Sequence, residues 1–214
     1  MKRTVNNLLG LAVLSYLTER PMHAYELNRL LKDRDAARTF KLSYGALYGV
    51  VRQLTAAGMI QAAGTGQTGN LPRHTVYELT DDGRTEMREW LKELISEPRY
   101  EYPAFAAALS LAVVLSPAEV LEMLRARSRR VRADIAAVRD QRDATLAEGH
   151  HPVFLIEDDY RISLLEAECS FIEELMHKIE DPEDGWAGPW EAYHAGSQPG
   201  AAEGTPRDTD GRHQ

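Results

Sequence analysis

A polar surface and an apolar stripe share one stretch of the sequence, residues 42–54. The stripe consists of Leu47, Val50, Val51 and Leu54. If residues 42–54 form a helix whose apolar stripe faces a core, the polar residues of this stretch project from the other faces of the helix. These polar members are Ser43, Tyr44, Tyr48 and Arg52. Hydroxyls, a guanidinium and the free amides of a helix N terminus can bind DNA phosphates and base edges. The stretch therefore predicts a recognition helix, although a core helix with exposed tyrosines shows the same pattern.

Two glycines on this helix bear on the same prediction. Gly45 and Gly49 keep the outward face low, so that the helix backbone can approach DNA closely. Lys41 lies just before the helix and adds a positive charge. On charge and helical phase, Lys41 and Arg52 are predicted to face DNA.

Other candidate chemistry is sparse. His150 and His151 are adjacent in a predicted loop without an evident third ligand, so no metal site is predicted. The lone Cys169 lies on an apolar seam, where a small buried side chain is the usual role and a redox sensor the alternative. No phosphate-cradling glycine motif and no nucleophile elbow occur. The sequence predicts neither an enzyme nor a cofactor.

The charge is divided unevenly along the chain. The net charge is −8 over 214 residues, yet residues 1–77 hold ten Lys or Arg against four Asp or Glu. The net charge of residues 1–77 is +6 and that of the remainder is −14, which predicts a charged binding surface on a partner-binding body.

Three features bear on the location of the protein. No apolar run is long enough to span a membrane, and no signal-peptide cleavage pattern follows Met1. A single cysteine fits a reducing compartment. A cytoplasmic location is expected.

The first half alternates helical and strand periodicity. Apolar spacing predicts helices over 5–17, 24–31 and 43–57, the last ending at Gly58. Residues 59–63 and 75–79 then predict two strands around a glycine-rich tip, and Thr80 opens a fourth helix. This order predicts a winged helix-turn-helix with a small two-stranded β wing over residues 1–97.

The second half predicts a mainly α, antiparallel helical dimerisation domain over residues 98–181. Residues 104–115 are almost wholly apolar and expected to be buried, and Ser116–Glu119 forms a capping box. Two heptad seams follow, joined by a short break. An isolated hairpin is expected to leave these seams uncovered, so a second copy is expected to cover them. The predicted dimerisation residues are Leu124, Val131, Ile135, Val138, Leu155, Ile162, Leu165, Ile172 and Met176. Residues 182–214, rich in Gly, Pro and acids, are predicted to be a disordered tail. Within it, Trp186 and Trp190 either pack back on the hairpin or have no role.

An effector site is a further hypothesis. Aromatic and apolar side chains occur near the expected junction of the two domains, where ligands commonly bind. The candidates are Trp90, Tyr100, Tyr102, Phe105 and Leu109. A small aromatic or lipophilic effector would suit them; the alternative is that they form ordinary core.

Four short motifs, taken together, resemble the PadR family of bacterial transcriptional regulators. They are Pro21–Leu27, Leu42–Tyr48, Leu54–Ile60 and Tyr77–Gly83. The longer second half is similar to the PadR subfamily that has an extended helical dimerisation domain. Two residues depart from the pattern: Ala24 replaces the usual glycine, and Gly49 stands where a basic residue often follows the tyrosine.

The resemblance implies which residues face DNA. It points to Tyr25, Ser43, Tyr48 and the wing residues Arg73 and His74, although Tyr25 is equally compatible with a buried position between helices. It also implies a homodimeric, ligand-responsive repressor that binds a pseudo-palindromic operator in double-stranded DNA. The competing hypothesis is a helical scaffold protein whose winged helix binds protein.

Overall fold

The fold was obtained as a computed structural model, which describes residues 5–34, 40, 43–66 and 74–197. The chain divides into two compact units, Met1–Tyr100 and Glu101–Gln214. The elements of the first unit are α1 (Leu8–Tyr16), β1 (Met22–His23), α2 (Ala24–Asp33), α3 (Tyr44–Ala56), β2 (Ile60–Gly66), β3 (His74–Leu79) and α4 (Asp81–Ser96). Those of the second are α5 (Ala104–Ser110), α6 (Pro117–Ala147), α7 (Ile156–Glu180) and α8 (Ala187–Ser197), with short 3-10 turns at Ala112–Val114 and Pro152–Leu155.

Local signals set the helix limits of the first unit. The side chains of Asn7, His23, Ser43 and Thr80 each accept a backbone N–H at the start of a helix. Gly58 follows α3 with a φ of +70°, as predicted for the residue that ends this helix. Helices α1, α2 and α3 enclose one apolar core, to which α3 contributes the four stripe residues predicted from the sequence.

The winged helix-turn-helix prediction is confirmed, with one additional strand. The sheet order is β1-β3-β2, and both pairings are antiparallel. The two-residue strand β1 pairs Met22 with Tyr77 and His23 with Val76. Sequence periodicity predicted only the two wing strands, because a two-residue strand is too short to show an alternating pattern. This pairing joins the start of α2 to the base of the wing.

The second unit is built on the antiparallel hairpin of α6 and α7. The predicted capping box is present: Ser116 Oγ accepts the Glu119 N–H, and the Glu119 carboxylate accepts the Ser116 N–H at 2.9 Å. One flank of the hairpin carries three Arg–Glu pairs at heptad intervals: Arg125–Glu180, Arg132–Glu173 and Arg139–Glu166. These three pairs link α6 to α7 across the hairpin.

The argument for a partner chain from the heptad seams is wrong. The two helices turn their seams toward each other, so that the seams are covered within one chain. Of the nine seam residues assigned to dimerisation, six are buried in the single chain and have almost no surface to offer a second copy. The buried six are Leu124, Val131, Ile135, Val138, Leu155 and Ile172. The other three, Ile162, Leu165 and Met176, are half-buried.

Two further expectations are corrected in this unit. The apolar segment 104–115 is largely exposed in the single chain, with Leu111 at 67% and Val114 at 71% of their full exposure. The prediction that the chain is disordered from residue 182 onward is wrong for the segment that forms α8. Trp190 on α8 packs against the apolar cluster between α6 and α7, and its indole N–H donates to the Leu115 carbonyl at 3.0 Å. One aromatic anchor thus orders a segment whose average composition is that of a disordered chain.

Every helix in the described ranges is too short or too polar to span a membrane.

Candidate nucleic-acid interface

Helix α3 presents the predicted polar face to solvent. Ser43 caps the helix, with its Oγ accepting the Ala46 N–H at 3.2 Å. Leu47 and Leu54 are completely buried on the opposite face, which fixes the rotation of the helix about its axis. Ser43, Tyr44 and Arg52 are exposed as a consequence, and Tyr48 is half-buried beside them. The structure thus brings together four of the residues predicted to face DNA.

Tyr44 and Tyr48 form a hydrogen-bonded pair on this face. They lie one helical turn apart, with ring centroids 4.4 Å apart and 2.8 Å between their hydroxyl oxygens. The hydrogen bond with Tyr44 and partial burial raise the pKa of Tyr48 to about 12. The Tyr48 phenol therefore remains protonated at neutral pH, and the pair presents two hydroxyl groups that can meet phosphate or base-edge acceptors.

Arg52 and Tyr25 are also available to a ligand. The Arg52 side chain is exposed, and within the described residues no ion pair or hydrogen bond holds its guanidinium. Tyr25 on α2 is 59% exposed, so the alternative of a buried aromatic between helices is wrong. Lys41 and Arg73 lie outside the described residues, as does the side chain of His74, whose backbone begins β3. Their contribution to DNA binding remains a prediction.

Sequence reasoning missed the group that fixes the start of α2. His23 Nδ1 accepts the Glu26 N–H at 3.0 Å, and the Glu26 carboxylate pairs with Arg20 at 2.7 Å. The hydrogen bond from Arg20 holds the pKa of Glu26 below its usual value. The His-x-x-Glu spacing at a helix start was the available signal, because it matches a capping box with histidine at the cap. This arrangement positions the exposed Tyr25, which lies between His23 and Glu26.

The residues predicted for an effector site are unevenly exposed. Trp90 is completely buried in the first unit, whereas Tyr100 and Tyr102 are 71% and 82% exposed. Phe105 and Leu109 are half-buried in the second unit. Phe105 is held there by Arg127, whose guanidinium carbon lies 3.8 Å from the ring centroid. The effector site remains a prediction.

A groove of about 530 Å³ lies elsewhere, on the flank of the α6–α7 hairpin. Ile135 and the buried Cys169 line it together with two of the Arg–Glu pairs, and none of the predicted effector residues does. Cys169 packs against Val131 and Ile135, as expected of a small apolar side chain in a core.

The two adjacent histidines lie at the hairpin turn. His151 Nδ1 accepts the Val153 N–H at 3.2 Å, and His150 lies 3.8 Å from Glu148. No three His, Cys, Asp or Glu side chains gather into a possible metal site in the part of the chain that the structure describes.

Comparison with known proteins identifies the first unit. Residues 13–89 match the sequence profile of the Transcriptional regulator PadR-like family. These residues form a PadR-like domain. The match includes α3 and its polar face, and members of the PadR-like family are transcriptional regulators, not enzymes. No curated protein sequence matches the chain significantly.

Solved PadR structures share the fold over both units. Bacillus subtilis PadR in complex with operator DNA is 17% identical and covers 80% of this chain and 97% of its own, with a TM-score of 0.66. The same protein in complex with p-coumaric acid is 18% identical and covers 78% of this chain and 96% of its own, with a TM-score of 0.64. A PadR-like transcriptional regulator from Bacillus cereus is 20% identical and covers 81% and 99%, with a TM-score of 0.56. At these identities the comparison shows the fold, and the extent of coverage places the helical unit within the same fold.

Proposed function

We propose that this chain is a cytoplasmic transcriptional repressor that binds a pseudo-palindromic operator as a homodimer. The observation that carries the proposal is the exposed face of α3, with hydroxyls at Ser43, Tyr44 and Tyr48 and a guanidinium at Arg52 that no described residue pairs with. In a winged helix-turn-helix this helix enters the major groove, where such groups meet phosphates and base edges. A PadR structure similar to this chain is a complex with operator DNA, which supports this assignment.

Salt dependence of binding tests the proposal directly. The full-length chain is titrated against DNA from upstream of its own gene at several salt concentrations. Each phosphate that the protein neutralises releases counterions, so binding is expected to weaken steeply with added salt. Docking of α3 on a protein does not require such a slope. A salt-insensitive interaction, or none with any duplex, would favour the scaffold alternative.

Replacing Arg52 tests the role of the α3 face. Arg52→Ala is expected to weaken operator binding about tenfold, since a guanidinium bound to a base edge contributes roughly 1–3 kcal/mol of discrimination. If Arg52 instead contacts phosphate, all sequences weaken alike and the salt slope falls by about one. Fluorescence anisotropy with labelled operator and unrelated duplexes separates the two. Arg129→Ala, an exposed arginine on α6, is the charge-matched control; equal losses for both variants would remove α3 from this role.

The proposed dimer interface is a second apolar stripe on α7. Ile156, Tyr160, Leu164, Ala167 and Phe171 recur at helical spacing on the face turned away from α6, and all five are exposed in the single chain. A soluble chain rarely leaves such a stripe open to water. We therefore assign dimerisation to this stripe in place of the covered seams.

Charge indicates how two copies of α7 pair. Acidic Glu157, Asp158 and Asp159 occupy its first turn, and His177 and Lys178 occupy its last. An antiparallel pair separates the two acidic first turns, whereas a parallel pair would bring them together. Antiparallel pairing also suits the two-fold symmetry expected of a homodimer on a palindromic site.

A small aromatic effector completes the proposal. A similar structure is of PadR bound to p-coumaric acid, a small aromatic acid, which supports this class of ligand. Such a ligand regulates only if it binds the DNA-competent and DNA-incompetent states with different affinity. Displacement of bound operator on addition of aromatic acids would support an effector role, and stabilisation of the protein without displacement would oppose it.

A further inference from the structure

The hydrogen bond between Tyr44 and Tyr48 uses one of the two hydroxyl protons of the pair. Their hydroxyl oxygens lie 2.8 Å apart, so one phenol donates and the other accepts. A phenol carries a single proton, so only the accepting phenol retains a proton that it can donate elsewhere. Within the described residues, no other group forms a hydrogen bond with either hydroxyl. The pair therefore offers one hydroxyl proton at a time to a partner outside the chain.

The internal hydrogen bond also fixes the position of that hydroxyl group. The two rings lie one helical turn apart in a tilted arrangement, with their centroids 4.4 Å from each other. Tyr48 is half-buried, and the hydrogen bond with Tyr44 is the largest cause of its raised pKa. Tyr44 is 60% exposed and has no other described hydrogen bond to hold its phenol. Ordering a free side chain on binding costs conformational entropy, and a phenol that is already held in place avoids part of this cost.

The pair lies in one row with Arg52. Tyr44, Tyr48 and Arg52 occupy successive turns of α3 at four-residue spacing, so their side chains are neighbours on one face. The guanidinium of Arg52 has only donors, and the pair contributes one further donor. A row of outward donors matches a surface that is rich in acceptor oxygens. Tyrosine commonly bonds to phosphate oxygens, whereas the characteristic pairings with base edges use other side chains. A phosphate oxygen is therefore the best-matched partner of the pair.

We propose that Tyr44 and Tyr48 bind a DNA phosphate as one hydrogen-bonding unit, in which each phenol positions the other and a single hydroxyl donates to the phosphate oxygen. This inference rests on the proposed function, since it assigns one contact of the same DNA-binding face. It goes beyond that function because it makes the two hydroxyl groups dependent on each other. Removal of either hydroxyl removes the same contact, whereas two separate contacts would be lost one at a time.

A double-mutant cycle in the full-length protein tests this dependence. Tyr44→Phe, Tyr48→Phe and the double variant keep both rings and remove only the hydroxyl groups, so a role in packing alone leaves Kd unchanged. Each single variant is expected to raise the Kd for operator about fivefold, the size of one hydrogen bond, and the double variant is expected to raise it about fivefold as well. If the double variant raises Kd about 25-fold, the two contacts are independent and the inference is overturned. Unchanged Kd in the single variants overturns it as well.

The choice of duplex tests the assignment to phosphate. Because a phosphate contact carries no sequence information, the single variants are expected to lose affinity equally for operator and for an unrelated duplex. The salt slope should not change, because a neutral phenol displaces no counterion. A loss confined to operator would place the contact on a base edge and overturn the assignment. Tyr193→Phe on α8, which also removes the hydroxyl of an exposed tyrosine, is the matched control and should leave Kd unchanged.

The internal hydrogen bond can be measured without DNA. Tyrosine is labelled with carbon-13 at the ring carbon that carries the hydroxyl, and the Tyr48 signal is followed by NMR as the pH is raised. The hydrogen bond with Tyr44, together with partial burial, raises the pKa of Tyr48 to about 12. Tyr44→Phe removes that bond and is expected to lower the pKa of Tyr48 toward its ordinary value of about 10. If Tyr48 titrates at the same pH in both chains, the bond is absent in solution and the inference is overturned.

The outcomes separate this inference from the proposed function. If the unaltered protein binds no duplex, both are overturned. If it binds with a steep salt slope and Arg52→Ala weakens binding while the phenylalanine variants bind as tightly as the unaltered protein, only the inference about the pair fails. Equal, non-additive losses in the three phenylalanine variants, together with a steep salt slope, support both.

Discussion

A chain that carries Tyr160→Glu and Leu164→Glu is expected to sediment as a monomer at micromolar concentration, where the unaltered chain is expected to sediment as a dimer. Both side chains are more than half exposed in the single chain, so the substitutions should leave the fold intact. In the proposed interface, each charge would be buried against the apolar stripe of the other copy without a partner. Burial of an unpaired charge costs several kcal/mol, and the double substitution would bury two such charges on each copy.

Loss of the dimer is expected to lower operator affinity at least about 100-fold. Two tethered winged helices bind a palindrome with a high effective concentration for the second half-site, and a monomer loses this advantage. Affinity for an isolated half-site should not change. Ala137→Glu with Gln141→Glu places the same charges on exposed positions of α6 and is the control. If the control dissociates and the α7 variant does not, the interface lies on α6.

The winged helix-turn-helix was predictable because its signals are local. Ser43 and Gly58 bracket α3, and both act in the structure as their residue types indicate. The capping box of Ser116 and Glu119 marks the start of α6 in the same way. The buried stripe of α3 fixes which residues point outward, so the polar face of the candidate site followed from periodicity alone. The partner of this face does not follow from periodicity, because spacing determines which side chains point outward and not what they bind.

The errors arose where one pattern fits two arrangements. A heptad seam predicts a helical partner, but it does not say whether that partner is in the same chain. In this protein the seams of α6 and α7 face each other, which turns the exposed stripe from Ile156 to Phe171 outward. Helix α8 was missed for a different reason. Its order depends on the long-range contact between Trp190 and Leu115, which average composition cannot show.

The family motif from Tyr77 to Gly83 has a structural basis in the described residues. Thr80 Oγ1 accepts the Gly83 N–H at 3.0 Å, and its hydroxyl lies 2.7 Å from the Gly58 carbonyl oxygen. The Thr80 N–H donates to the Met59 carbonyl at 3.1 Å. These contacts hold the first turn of α4 directly against the turn that follows α3. The close approach leaves no room for a side chain at Gly83.

Gly83→Ala is accordingly expected to lower the free energy of unfolding by about 3 kcal/mol or more, at the upper end of single substitutions. A Cβ at this position would lie 2.0 Å from the Met59 carbonyl oxygen and 2.8 Å from its carbon, so backbone must move to admit it. Urea denaturation of the full-length protein measures the change. Gly188→Ala, whose Cβ would face open space, adds the same methyl group and should change stability by less than about 1 kcal/mol. Because the contact holds α4 against the turn after α3, Gly83→Ala should also weaken operator binding. If Gly83→Ala unfolds at the same urea concentration as the unaltered chain, the packing of α4 on the Met59 turn is not as close as described.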